Sequence, residues 1–341
     1  MFIDIFTGAT GLGLIWGIVA LGIFISFRIL NMPDLTVEGS LVTGAAVAAM
    51  LLVGGISFEI NLGFTLISIY IDSVHPLIAL VAAALAGGAA GTVTGFLHTR
   101  LKIPALLSGI LTMTALWSIN LRIMGDSPNV SLLRADTVLT PFMEQGLSRD
   151  HSIIIVATIA ILIVVIAQRW FLTTEFGSAL RATGNNPHMS TAQGINTNTM
   201  KLVGLACANS MVGLAGGLLA QYQGFADVGM GIGAIVIALA SLIIGEVIFG
   251  RKTLLRNMIA VVLGAVLYRM IIAAVLEAGM AASDLRLFTA VTVAIALWLP
   301  SVREQIDAIS RRVKHRQGTF ETQTNGLHNP LGSLFGKKED K

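Results

Sequence analysis

Apolar runs recur along almost the whole chain, at about residues 12–30, 39–55, 76–97, 104–124, 152–172, 201–221, 232–249, 257–276 and 286–300. A bilayer core of about 30 Å takes about 20 apolar residues per helical crossing, and most of these runs are long enough. A backbone that enters lipid must satisfy its own hydrogen bonds, so such a series folds as helices packed side by side. Charged residues make up 12% of the 341 positions and mean hydropathy is +0.81. A soluble domain carries roughly 25% charged residues, which removes a water-soluble enzyme from consideration. The expected fold is therefore all-α: a polytopic transmembrane bundle of about nine spans filling residues 1–300. The opening MFIDIF holds Asp4 and no basic cluster, so the first run is expected to be a retained helix.

Lysine and arginine accumulate in cytoplasmic loops, and this sets an expected orientation. Most of the 22 basic residues fall at Arg28, Arg100–Lys102, Arg169–Lys201, Arg251–Arg256 and the tail after Ser301. With the tail inside, nine spans put the N-terminus outside. Residues 56–74 carry Glu59 and Asp72 and are short for a crossing, so they read as an interfacial or re-entrant insertion on the outer face. In 301–316, Val302, Ile306, Ile309 and Val313 share one helical face, the pattern of an amphipathic helix on the inner leaflet. Residues 317–341 lack periodicity and read as disordered.

A shift of 193 residues lays Gly11-Leu12 on Gly204-Leu205 and Asp34 on Asp227. Each aspartate follows one span and precedes a glycine-containing approach to the next. Under the expected orientation the two lie on opposite sides, which points to an inverted repeat of the kind transport proteins use. The glycines spaced by four, Gly13/Gly17, Gly87/Gly91/Gly95 and Gly213/Gly217, suit close helix packing.

Chemistry-bearing candidates are few. PDLTVEGS, residues 33–40, sets Asp34, Thr36 and Glu38 between a proline and a glycine. Asp34 or Thr36 is expected to cap the second span, and all three to form a polar wall near a translocation route. Glu246 lies five residues before Arg251-Lys252, so pairing or snorkelling is its simplest role, with Arg269 a distant basic candidate for a relay. No two of the six histidines stand at metal-ligand spacing, and neither GxxxxGK[ST] nor GxSxG occurs. The one cysteine, Cys207, permits no disulfide framework. ATP hydrolysis by a phosphate loop of its own is excluded.

The longest well-defined inner loop is TTEFGSALRATGNNPHMSTAQGINTNTMK, residues 173–201. FGSALRA is a short helix by composition, ATGNNP a break, and HMSTAQGI a second short helix ending at Gly194. So ordered and so weakly charged a loop needs a partner surface.

These residues, with PDLTVEG and the run ILTMTALWSINLRIMG at 110–125, resemble ABC-importer permeases of the ribose and branched-chain amino-acid type. The loop carries the family pattern at Phe176, Gly177, Ala182, Gly184, Asn186, Gly194 and Ile195. The likeness is nearest to a bacterial branch of aromatic amino-acid (tryptophan/tyrosine) permeases. The resemblance implies that Phe176, Gly177, Arg181, Ala182, Gly184, Asn185, Asn186 and Pro187 form a coupling surface for a separate ABC ATPase, which would carry ATP and Mg²⁺. It also implies an extracytoplasmic substrate-binding protein, a second permease copy and residence among the lipids of the bacterial inner membrane. The chain itself is expected to need no cofactor and to bind no nucleic acid. The rivals are an ion-coupled secondary transporter or channel, which has no use for such a loop, and, last, an intramembrane enzyme, for which no nucleophile and base are visible.

Overall fold

The computed structural model describes residues 2–54, 56–61, 66–71, 74–250 and 252–279, with 284, 287–292, 294 and 298 beyond them. For residues 2–4, 56–61 and 66–71 only the backbone is described. The expected amphipathic helix and tail, and about half of the ninth run, lie outside the described residues. Eight runs become helices: α1 (Phe2–Ile23), α2 (Thr36–Val53), α3 (Pro76–Thr99), α4 (Ala105–Ile123), α6 (Arg149–Thr173), α9 (Thr197–Gln223), α10 (Ala234–Phe249) and α11 (Leu254–Glu277). Among the described residues seven spans are long and apolar enough to cross a membrane; α10, with 16 residues, is shorter. The short helices are α5 (Thr140–Glu144), α7 (Glu175–Asn185) and α8 (Pro187–Ala192). Residues 56–74 contain an antiparallel pair, β1 (Ile56–Asn61) and β2 (Leu66–Ile71). A second small pair joins β3 (Asn129–Ser131) to β4 (Phe225–Asp227) across the polypeptide.

Glycine sets the helix spacing. A Cβ on Gly87, Gly91 or Gly213 would strike the backbone of the facing helix, at Asn209, Leu205 and Ala83 respectively. Those contacts, with Gly95 on Leu202, run α3 antiparallel along α9. Gly13 and Gly17 lie in the same way on Val266 and Val262, running α1 antiparallel along α11. The glycine spacing is thus a packing device, as small residues are in membrane bundles.

These two contacts also reveal the relation of the halves. In each half a long helix (α1, α9) is followed by a non-helical stretch, a short helix (α2, α10) and a 24-residue helix (α3, α11). The third helix of each half packs antiparallel on the first helix of the other. The non-helical stretches lie at opposite ends of the bundle. Residues 30–35 leave the end that bears α7, where a Cβ on Gly184 would strike the Ile29 carbonyl. Residues 224–233 leave the end that bears the β3–β4 pair. This geometry matches the inverted arrangement read from the 193-residue shift.

Candidate functional site

α1 does not simply stop. Its last residues, Phe24–Ile29, widen into a π-helical turn, and Asn31 takes a left-handed φ of 54° that swings the chain back into the bundle. π-helical turns inside helices concentrate at functional positions because they cost ladder regularity. Pro33 then keeps the preceding residue extended. The chain arrives at Asp34, 3% exposed, whose Oδ1 accepts the Thr36 backbone N–H at 2.9 Å. Its Oδ2 accepts from Asn209 Nδ2 of α9 at 2.7 Å. The N-cap of α2 is Leu35, which offers no side-chain acceptor. Asp34 therefore satisfies a freed N–H from one position earlier than a cap, and Thr36 does not cap at all. The Thr36 hydroxyl instead meets the Thr94 hydroxyl of α3 at 2.6 Å.

The matched aspartate repeats the pattern. Asp227 Oδ1 accepts the Gly229 N–H at 2.7 Å, and its Oδ2 faces Asn129 Nδ2 at 3.4 Å. In both halves one carboxylate oxygen fixes the backbone two residues on, and the other is held by an asparagine from a distant element.

Between the two halves stands Glu38. α10 begins at Gly233, φ 83°, with no acceptor of its own. The Glu38 carboxylate on the first turn of α2 supplies one, accepting the Gly233 N–H at 3.0 Å and bonding the Ile235 backbone. A Cβ on Gly231 would strike the Glu38 carbonyl, so the segment entering α10 lies directly on α2. Both short helices thus start inside the bundle, first turn beside first turn, and a carboxylate is favourable at such a helix start. Asp34, Thr36 and Glu38 are brought together here. Asp34 and Thr36 are buried within the chain and Glu38 is half-buried.

Two further charged groups sit in the spans. Glu246 on α10 binds Arg28 of the π-helical turn through both oxygens, 2.8 Å from Nε and 2.6 Å from Nη2, and accepts from Asn257 at 3.4 Å. The carboxylate thus reaches a residue 218 positions away in the chain. Arg269 on α11 lies with its guanidinium 4.7 Å from the centroid of the Trp16 ring. A helical side chain points toward the helix N-terminus, which directs Arg269 along α11 toward Trp16 and leaves a cation–π contact to hold the charge.

The loop after α6 forms the two helices expected. Thr174 Oγ1 caps α7 through the Gly177 N–H at 3.2 Å, and Asn186 Oδ1 caps α8 through Met189 at 3.0 Å. Gly194, φ 84°, ends the second. α7 is longer than FGSALRA, running on to Asn185. Its inner face is Gly177, Leu180, Thr183 and Gly184, and both glycines give close backbone approach, to Phe171-Leu172 and to Ile29. The outer face presents Phe176, Arg181 and Asn185, followed by Asn186, Pro187 and Met189; Phe176 is 37% and Met189 58% exposed. Ala182 is half-buried. Of the eight residues named for coupling, five are on the free surface, and Gly177 and Gly184 hold α7 to the bundle. Met189, absent from that group, joins the outer face because α8 turns it the same way.

The family pattern described as "Branched-chain amino acid transport system / permease component" matches residues 5–298. A tyrosine transport system permease protein of Clostridioides difficile is 38% identical over 280 residues, covering 82% of this chain and 86% of its own. An uncharacterized protein of Rickettsia prowazekii is 31% identical over 281 residues, 81% of this chain and 91% of its own. A guanosine ABC transporter permease protein of Bacillus subtilis is 26% identical over 239 residues, 64% of this chain and 66% of its own. No solved structure matches the chain significantly.

Proposed function

This chain belongs to the family of branched-chain amino acid transport system permease components, and on that premise we propose that it carries an aromatic amino acid inward as one of two copies in an ATP-driven importer. It is the membrane-spanning permease subunit of such a system and not its ATPase. The observation that carries the fuller reading is the α7–α8 pair. Two capped helices hold an apolar and cationic face, Phe176, Arg181 and Met189, away from the bundle. Order without burial is what a partner's groove requires, and the ATPase subunit is the partner proposed. ATP and Mg²⁺ would be held there, while a substrate-binding protein would deliver the solute at the β3–β4 end. An ion-coupled carrier has no use for a surface of this kind.

The amino-acid reading is supported by the relative named for tyrosine transport. Membrane vesicles containing the permease with its ATPase and binding protein should accumulate radiolabelled tyrosine or tryptophan when ATP is supplied. Accumulation of neither, with vesicles that hydrolyse ATP in response to the loaded binding protein, would reject the solute class.

The orientation proposed has the N-terminus outside and α7–α8 in the cytoplasm of a bacterial inner membrane. In a Cys207→Ser background, His188→Cys should stay unlabelled by an impermeant thiol reagent in intact cells, and Leu133→Cys, 84% exposed as leucine, should react. The reverse pattern would overturn the orientation.

A further inference from the structure

An unassigned groove of about 960 Å³ opens between α3, α6 and α9 at the β3–β4 end of the bundle. Its walls are apolar for most of their length: Leu80, Ala84 and Leu85 from α3, Val156 and Ile163 from α6, and Leu218 from α9. On α3 the lining runs from Pro76 to Leu85, a rise of about 14 Å, so the groove is about the depth of one leaflet. Polar residues appear only under its roof, where His75, Asp136 and Glu144 line it. There it adjoins a second cavity of about 710 Å³ that shares His75, Pro76 and Asp136 and adds Ser131 and Arg134. An apolar slot about one leaflet deep thus ends in a chamber of mixed lining that carries both signs of charge.

We propose that this double cavity binds one phospholipid with a zwitterionic amine headgroup. One acyl chain fills the slot between α3 and α6. The phosphate lies by Arg134 and His75, and the ammonium faces Asp136 and Glu144. The occupant follows from three features. The slot opens sideways on helices that face lipid, since Val81, Leu85 and Ile159 are exposed large hydrophobics. Its polar end is confined to the level where headgroups lie. Its rim joins one arginine to two acidic residues, which favours a headgroup with both charges over an anionic one.

The test is native mass spectrometry of the full chain purified in mild detergent. Phosphatidylethanolamine and phosphatidylglycerol are added separately. One phosphatidylethanolamine per protomer should be retained in preference to phosphatidylglycerol. Ala84→Trp with Ala160→Trp, which fills the slot, should cut retention roughly tenfold or more. The variant Asp136→Lys with Glu144→Lys changes only the polar rim, leaving the apolar walls as they are, and should reverse the headgroup preference. Equal retention of both lipids by the unaltered chain, or no effect of either double variant, would refute the site. So would disulfide formation between protomers carrying Val81→Cys and Ile163→Cys in native membranes, in a Cys207→Ser background, because a second copy would then fill the slot.

Discussion

Phe176→Asp combined with Arg181→Glu is expected to abolish ATP-driven uptake while the permease still inserts and unfolds at its usual temperature. Both side chains are exposed on the outer face of α7, so neither change leaves an unpaired buried group, and Phe176 gives up only its ring contact with Phe171. At a protein interface an aromatic anchor and an arginine are the residues whose loss costs most, about 2–4 kcal/mol each, which is roughly thirtyfold or more in affinity. Reversing charge and polarity together should therefore weaken ATPase binding beyond detection in a pull-down from membranes. Gly184→Val supplies the contrast. It alters a neighbouring position on the other face, where the new side chain would strike the Ile29 carbonyl, so it should lower accumulation of the protein itself. If the double variant took up solute at the normal rate, α7 would not be the docking surface.

The second large effect belongs to Asp34. Asp34→Leu removes the acceptor for donors that include the Thr36 N–H and Asn209 Nδ2, at a buried position. Each buried donor left without a partner costs about 1–3 kcal/mol, so the variant should fail to accumulate. Asp34→Asn keeps an oxygen for Thr36 but sets an amide nitrogen against the Asn209 amide. Turning Asn209 over presents its Oδ1, which has no partner in the native arrangement, at the expense of the 3.0 Å bond to the Leu205 carbonyl. One hydrogen bond is lost, about 1 kcal/mol, and the protein should fold and transport. Measured by membrane abundance and vesicle uptake, an Asp34→Asn protein that assembled but did not transport would give the charge a role beyond anchoring. Normal behaviour of Asp34→Leu would remove the residue from the site altogether.

The spans were legible because each is a continuous apolar run, and eight of those runs mark helices to within several residues at most ends. α1 is the exception, starting at Phe2 well before its run because a helix can extend into polar sequence once its first turn is formed. The caps at Thr174 and Asn186 and the break at Gly194 were legible for the same local reason. Partners were not. Nothing near Asp34 names Asn209, 175 positions on, and nothing near Glu246 names Arg28, because those contacts are made by helix packing and not by local periodicity. The π-helical turn has no compositional mark. Glycine was ambiguous as well: the spacing that identifies a close contact does not say which helix is met, so Gly177 and Gly184 could be read from sequence as part of a partner surface when their packing faces inward.

Residues 29–36 have a consequence for how the chain tolerates change. Within eight positions the chain is held at the Ile29 carbonyl by α7 and by three side chains, Leu30 against Gly204, Asp34 by Asn209 and Thr36 by Thr94. A strap fastened so often has no slack. A displacement of α7 is therefore expected to reach the start of α2, and through Glu38 the start of α10. The same stiffness makes length a conserved quantity in a physical sense. One residue inserted between Ile29 and Thr36 would throw the fastenings on one side of it out of register with those on the other, whereas a substitution at any single point disturbs only one.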